Sequence, residues 1–267
     1  MDESAIRSLP AAVRRPQMLT LIEERGFMRV SDLSQIFGIS EVTVRSDLDS
    51  LSATSPIERV HGGAMHRTRR SQVEPSFEQS VGTSADEKAA IGVAAASLVS
   101  SGDSLIIDVG ATTTAVARAL AARRDLEDIV VFTNGLTTAM ELESEIPRIT
   151  VILTGGKLRP RQHSLVDPMA GMILDQINVT TAFIGCNGVH PEEGVTNINL
   201  PEAAVKRQMV KAAHRVVVVA EGSKLGNISV AHVAGLDEVD ALITGSSAPP
   251  ELVAQIGDFG VATTVAE

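Results

Sequence analysis

At 267 residues the chain is long enough for about two domains, and its 44% hydrophobic and 21% charged content is ordinary globular usage, which excludes a disordered chain, a collagen-like repeat or a disulfide scaffold. The formal net charge is −10, and the single cysteine, Cys186, has no partner for an internal disulfide. No charged-then-apolar leader occupies Met1 to Pro10 and no apolar run approaches the roughly 18 residues a membrane helix needs, so export and membrane classes drop out and a soluble cytoplasmic protein is expected.

Six Phe, no Trp and no Tyr leave few stacking platforms for single-stranded nucleic acid or a neutral sugar ring. Recognition therefore rests on charge and hydrogen bonds. Residues 1–72 carry 10 Arg, no Lys and 9 acidic residues, whereas residues 73–267 hold 13 basic and 24 acidic ones. An acidic body repels a phosphate backbone, so contact with duplex DNA belongs to the arginine-bearing head, whose +1 total is modest for such a role.

In chain order, Pro16 suits a first helical position and Gly26 a C-cap, with Leu19 and Ile22 on one face between them. Ser31 is placed to cap a second helix, Asp32 to Phe37, whose apolar face would be Leu33, Ile36 and Phe37, and Gly38 closes it. Ser40 then caps a third helix. In it Val44, Leu48 and Leu51 recur at i, i+4 and i+7, which leaves Glu41, Thr43, Arg45, Ser46 and Asp49 outward, a set suited to base edges and phosphates. Ile57-Glu58-Arg59-Val60-His61-Gly62-Gly63-Ala64 alternates and ends in a glycine pair, as a β-hairpin wing requires. Arg67, Arg69 and Arg70 lead into the polar stretch Ser71 to Asp86, which reads as a solvated linker or as arginines within reach of the DNA backbone or minor groove.

The runs Val30 to Leu48 and Arg59 to Ala64 resemble the DNA-binding head of the DeoR family of bacterial transcription regulators. The chain departs from that pattern at Ser46, where a second Arg is common, and at Ser52 to Pro56, where a Gly is common. The expected head is a winged helix-turn-helix over residues 12–66, with DNA contacts at Ser40, Glu41, Thr43, Arg45, Ser46, Arg59, His61 and Gly62 and a linker over 67–86.

From Glu87 the pattern alternates. A helix near Glu87 to Ser100 is followed by strand Leu105 to Val109, helix Thr113 to Ala122, strand Ile129 to Thr133, helix Leu136 to Glu143 and strand Thr150 to Leu153. Then come a helix near Met169 to Leu174, strand Ala182 to Cys186, helix Glu202 to Ala213, and strands Val216 to Ala220, Ala241 to Thr244 and one near Val261. Unbroken apolar strands such as Val216 to Val219 are those of a parallel sheet covered on both faces, so residues 87–267 read as a Rossmann-like α/β domain whose ligand lies beyond the carboxyl ends of the strands.

Asp108-Val109-Gly110-Ala111-Thr112-Thr113-Thr114 joins a strand to a helix. Glycine, new helix amides and three hydroxyls make either a phosphate cradle or simply a threonine-capped βα turn, and neither a Walker A nor a dinucleotide pattern is present. Thr133-Asn134-Gly135 and Thr154-Gly155-Gly156-Lys157-Leu158-Arg159-Pro160-Arg161-Gln162-His163 end the next strands, the latter as a solvated basic face or an anion contact. Glu202 and Lys206, at i and i+4, form a surface ion pair or hold a sugar hydroxyl and phosphate, and Lys224 follows a further strand.

This set too resembles the DeoR family, in its effector domain, through Asp108, Gly110, Thr112 to Thr114, Thr133-Asn134, Gly155-Gly156, Glu202-Ala203, Lys206 and Ser223-Lys224. The resemblance spans about Arg15 to Gly245. It implies a domain similar to ribose-5-phosphate isomerase that senses a phosphorylated sugar, the phosphate at Gly110 to Thr114 and hydroxyls near Asp108, Asn134, Glu202 and Lys206, with Gly155, Lys157 and Lys224 completing the site. Asn187, where an Asp is common, removes a possible base.

No catalytic triad, nucleophile elbow or metal-ligand cluster can be assembled from Cys186 and the scattered His61, His66, His163, His190, His214 and His232, so neither metal nor cofactor is expected. The favoured expectation is a non-enzymatic, homo-oligomeric repressor of carbohydrate genes, released from operator DNA by a sugar phosphate. An isomerase-like enzyme with an accessory head, and a DNA-binding structural protein, remain as alternatives.

Overall fold

The computed structural model describes residues 10–25, 27–55, 57–60, 62–66 and 74–267, and the chain divides into two compact units, Met1–Ser71 and Gln72–Glu267. Gly26, His61, Arg67, Arg69, Arg70 and residues 71–73 lie outside the described residues.

In the first unit a helix spans Ala11–Arg25, so Pro16 sits inside it rather than at its start. The proline removes one amide from the helical ladder. Met18 and Ile22 are sealed on its inner face, and Arg14 reaches Asp47 of the third helix at 2.7 Å with Arg15 alongside at 2.8 Å. The short strand Phe27–Arg29, not anticipated from sequence, enters a three-stranded antiparallel sheet as one edge, with Gly63–His66 central and Ile57–Val60 beyond.

The second helix is Val30–Phe37, starting two residues earlier than expected: Arg29 is its N-cap, Ser31 makes no cap, and Val30, Leu33 and Phe37 face the core while Ile36 is 37% exposed. Gly38, at φ 60°, closes it in the left-handed conformation glycine tolerates best. Ser40 caps the third helix, Glu41–Thr54, by accepting the Thr43 amide at 3.2 Å, and Val44, Leu48 and Leu51 enter the core with Met28, Ile57 and Ala64.

The second unit is built on seven parallel strands. Their order across the sheet is Ala262–Ala266, Ala241–Gly245, Ala213–Ala220, Val179–Ile184, Ser104–Ile107, Ile129–Thr133 and Ile149–Leu153. From Ser104–Ile107 the chain builds outward to one edge, then returns to the other side of that strand at Val179–Ile184. The loops leaving these two neighbours diverge, and that reversal point is where an open α/β sheet forms its crevice.

Helices Ala85–Ala96 and Ala111–Ala122 pack together, and a Cβ at Gly92 would stand 2.5 Å from the Ala115 carbonyl, so only glycine permits the approach. Ile91, Ala95, Val116 and Leu120 join Leu105, Ile107, Phe183, Val217, Val219 and Ile243 in one apolar cluster. Helix Leu200–Lys211 packs on strands Val179–Ile184 and Ala213–Ala220. Also not expected were helix Pro250–Asp258, a hairpin Lys157–Arg159 with Ser164–Val166, and an antiparallel trio Gly188–His190, Gly194–Asn197 and Ala231–Ala234. Among the described residues no helix is long and apolar enough to cross a membrane.

Candidate functional site

In the first unit the third helix presents Glu41, Val42, Arg45, Ser46 and Asp49 to solvent, with Thr43 partly exposed beside the Ser40 cap. Arg45 pairs with Glu41 at 2.7 Å, both about half exposed. Arg59, from the wing strand, lies back along the helix, donating to Asp49 at 2.5 Å and to the Arg45 carbonyl at 3.1 Å. Exposed pairs of this kind contribute at most about 1 kcal/mol, so both guanidiniums can be exchanged onto phosphate or base edges at small cost. Gly62, at φ 82°, is exposed at the wing turn, and His61 falls outside the described residues. Sequence reasoning missed Val42, which is 72% exposed on the same helix face; its position beside Glu41 and ahead of Arg45 was the available signal.

The second unit carries a polar cleft at the sheet's reversal point. Its wall runs from Val109 to Thr113 after one central strand and from Gly185 to Asn187 after the other, joined by Glu202 and Lys206 and by Glu221 and Lys224. Gly110, at φ 145°, begins the helix Ala111–Ala122, whose first amides have no partner within the helix, and residues 110–113 line the cleft. Thr113 is sealed and spends its hydroxyl on the Gly110 carbonyl at 3.0 Å, whereas Thr112 is partly exposed with no hydrogen bond from its hydroxyl among the described residues. Lys224 is half-buried and makes no ion pair among the described residues.

Beneath the cleft, Lys206 pairs with Asp108 and donates to the Gly185 carbonyl at 3.0 Å, while Asp108 accepts the Gly185 amide at 3.0 Å. Burial alone would lower the Lys206 ammonium; the carboxylates of Asp108 and Glu202 outweigh it and hold the ammonium above its usual range. Glu202 is engaged by Arg159 and by the Ser164 hydroxyl at 2.5 Å, and Arg159 also grips Glu74. Burial, with Lys206 and Lys224 opposing, pushes the Cys186 thiol up to about 11. Among the described residues no three His, Cys, Asp or Glu gather as metal ligands would.

Of the residues singled out for an effector, Gly110, Thr112, Thr113, Glu202, Lys206 and Lys224 line the cleft. Five others do not. Asp108 lies sealed under the floor, and Thr114 is buried against Thr138 at 3.4 Å. Asn134 is a strut, accepting the Val109 amide at 2.9 Å and donating to the Leu165 carbonyl at 3.3 Å. Gly155 and Lys157 do not line the cleft: Lys157 is exposed, and the cation of that hairpin which reaches Glu202 is Arg159. The reading of Glu202 and Lys206 as a surface ion pair also fails, since both are buried.

Sequence reasoning also missed Glu74, Pro75, Phe77 and Ser80, which line the cleft from a stretch expected to be solvated linker. Helix Phe77–Gly82 there carries a capping box between Ser76 and Gln79. That Ser-x-x-Gln spacing was its legible signal.

A family model described as the DeoR C terminal sensor domain matches residues 83–246, and one described as a DeoR-like helix-turn-helix domain matches residues 14–70. The chain is 34% identical over 253 residues to the uncharacterized HTH-type transcriptional regulator YulB of Bacillus subtilis (strain 168), covering 95% of this chain and 96% of that one. It is 30% identical to the putative aga operon transcriptional repressor of Escherichia coli O157:H7, over 93% and 91% of the two chains. To the glycerol-3-phosphate regulon repressor of Escherichia coli (strain K12) it is 27% identical, over 91% and 94%. Among solved structures, ribose 5-phosphate isomerase A from Neisseria gonorrhoeae is 14% identical with a TM-score of 0.41, over 54% of this chain and 55% of that one, a likeness on which no argument rests.

Proposed function

The chain belongs to the DeoR family of helix-turn-helix transcriptional regulators, and we propose that it is a repressor of carbohydrate genes that leaves its operator when a phosphorylated sugar occupies the cleft of residues 109–113, 185–187, 202, 206 and 224. The observation that carries this reading is the pairing of free helix amides after Gly110 with the Thr112 hydroxyl and the Lys224 ammonium, three donor types around one opening. Asn187, Asn197 and Gln162 also line the cleft, and their amides suit sugar hydroxyls. Relatives named as repressors of an aga operon and a glycerol-3-phosphate regulon support a carbohydrate-linked role.

The same geometry favours sensing over turnover. A base that moves a proton between sugar carbons must reach them. Asp108 is sealed and tied to Lys206, and the Glu202 carboxylate is already engaged by Arg159 and Ser164.

DNA contacts are proposed at Ser40, Glu41, Thr43, Arg45, Ser46, Arg59, His61 and Gly62. Homo-oligomeric heads would read half-sites about 10 base pairs apart or a multiple of that. Release requires the effector to favour one arrangement of the protein over another, with a coupling of about 1–3 kcal/mol. The test is a thermal-shift screen of the full chain against sugar phosphates, followed by gel shifts on duplexes selected from a random library. A hit that also releases DNA is expected; turnover of a sugar phosphate, or DNA binding indifferent to every metabolite, would overturn the reading.

A further inference from the structure

Arg159 is separated from Glu202 by 43 residues and from Glu74 by 85, yet its guanidinium bridges the two carboxylates, which line the cleft while Arg159 itself does not, so that Glu74 stands between one guanidinium edge and the opening. Their side chains are 19%, 6% and 15% exposed, respectively, so all three are largely withdrawn from water. Residues 74–82 form a strap of which Glu74, Pro75, Phe77 and Ser80 line the cleft. Other ties fasten the strap to the hairpin that carries Arg159: the Phe77 amide donates to the Arg161 carbonyl at 2.7 Å, and Gln162 donates to the Pro75 carbonyl at 3.3 Å. Phe77 also stacks on His163 with ring centroids 5.0 Å apart. In the chain the strap follows closely on the DNA-binding unit, which ends at Ser71.

Glu74 and Glu202 share one guanidinium, with Lys206 the other cation acting on Glu74, and an anion that comes beside Arg159 while Glu74 is in place meets two like charges. Exchanging Glu74 for a ligand anion removes that repulsion and keeps both edges of the guanidinium occupied, the arrangement its planar fork favours. Glu74 is held at a cost. Burial, added to by the charge of Glu202 and opposed by Arg159, keeps its carboxyl above the usual range, and a move into water restores its hydration.

We propose that Glu74 and the anionic group of the effector compete for the same edge of Arg159, so that ligand entry unfastens the strap that leads from the DNA-binding unit. This rests on the reading of the cleft as an effector site. By linkage, whatever loosens the strap tightens the anion, and the reverse.

The experiment uses the full chain with inorganic phosphate as probe and potassium chloride at matched ionic strength as control. Amide exchange is read over residues 74–82 and affinity by thermal shift. Phosphate, but not chloride, is expected to speed exchange of the strap in the unmodified protein. Glu74→Gln, which keeps size and drops charge, should exchange quickly without phosphate and bind it about tenfold more tightly, the scale of one hydrogen bond to a charged group. If that variant does not fold, Glu74→Asp, which shortens the reach by one methylene, should move both readouts in the same direction. Phosphate stabilisation with strap exchange and variant affinity unmoved would overturn the competition while leaving the cleft reading intact. Absence of any phosphate-specific shift in all of these proteins would overturn both.

Discussion

Lys206 and Asp108 lie 98 residues apart in the chain and meet as an ion pair, 3% and 0% exposed, under the point where the sheet reverses its strand order. The pair locks the two diverging loops together, because Asp108 also accepts the Gly185 amide and Lys206 also donates to the Gly185 carbonyl. Removing one partner strands the other charge in a dry setting. Lys206→Met should therefore destabilise the second unit by about 3–5 kcal/mol in urea unfolding, and adding Asp108→Asn should recover a large part of that loss. A single variant as stable as the parent would show the pair to be incidental.

Arg45 is half exposed and held by Glu41, its one ion-pair partner among the described residues. Arg45→Ala should weaken operator binding by about 1–3 kcal/mol while leaving ligand-induced stabilisation of the second unit unchanged. The dependence on salt separates its roles: a slope lower by about one unit marks a lost phosphate contact, and an unchanged slope with relaxed preference at one base pair marks a lost base contact. Unaltered affinity would remove this helix from the interface.

Thr112 and Thr113 divide two tasks that the run of threonines leaves undistinguished. Thr112→Val removes an available hydroxyl and should weaken phosphate-type ligands about tenfold at little cost in stability. Thr113→Val removes the bond to the Gly110 carbonyl and should lower stability through the loop itself. Isothermal titration beside thermal unfolding distinguishes the two, and equal effects of both substitutions on affinity would refute the division.

Cys186 lines the cleft with its thiol pushed up to about 11, mainly by burial. Against a reference of 9.0, the thiolate fraction at pH 8 is lower by about a hundredfold. Iodoacetamide should thus modify the native protein far more slowly than the urea-unfolded chain, with a rate that climbs steadily from pH 8 to 11. The sign for stability follows: the unfolded thiol ionises first, so the folded state loses stability as pH rises between about 9 and 11 and keeps its full contribution below that range. A native rate equal to the unfolded one at pH 8 would contradict this environment. Saturating sugar phosphate should slow the reaction further if the ligand covers the thiol.

Much of the local architecture was legible because it is encoded within a few residues. Ser40 and Gly38 mark helix ends by their own backbone chemistry, and Val44, Leu48 and Leu51 announce a buried face by spacing alone. Strand Ile129–Thr133 and helix Met169–Leu174 begin and end where the apolar pattern does. Errors arose where neighbours compete. Pro16 looked like a helix start because that is where a missing amide costs least, yet the buried Arg14 that reaches Asp47 lies before it, inside the same helix. Val30 displaced Ile36 from the core because strand Phe27–Arg29 feeds directly into the second helix.

By itself the sequence determined the element types, the loops that carry glycine, threonine and charge, and the separation of an arginine-bearing head from an acidic body. Each of these depends on residues close in the chain. Only the tertiary structure decided which loops share a cleft, since strand order brings residues 109–113 beside 185–187 and leaves Gly155 and Lys157 outside. It also decided that Arg159 rather than Lys157 turns inward, that Asp108 and Asn134 support the cleft without lining it, and that Glu74 lines it in a pair with Arg159. The physical reason is that a charged group's role is set by its partner and its access to water, and here those partners are 43 to 98 residues distant.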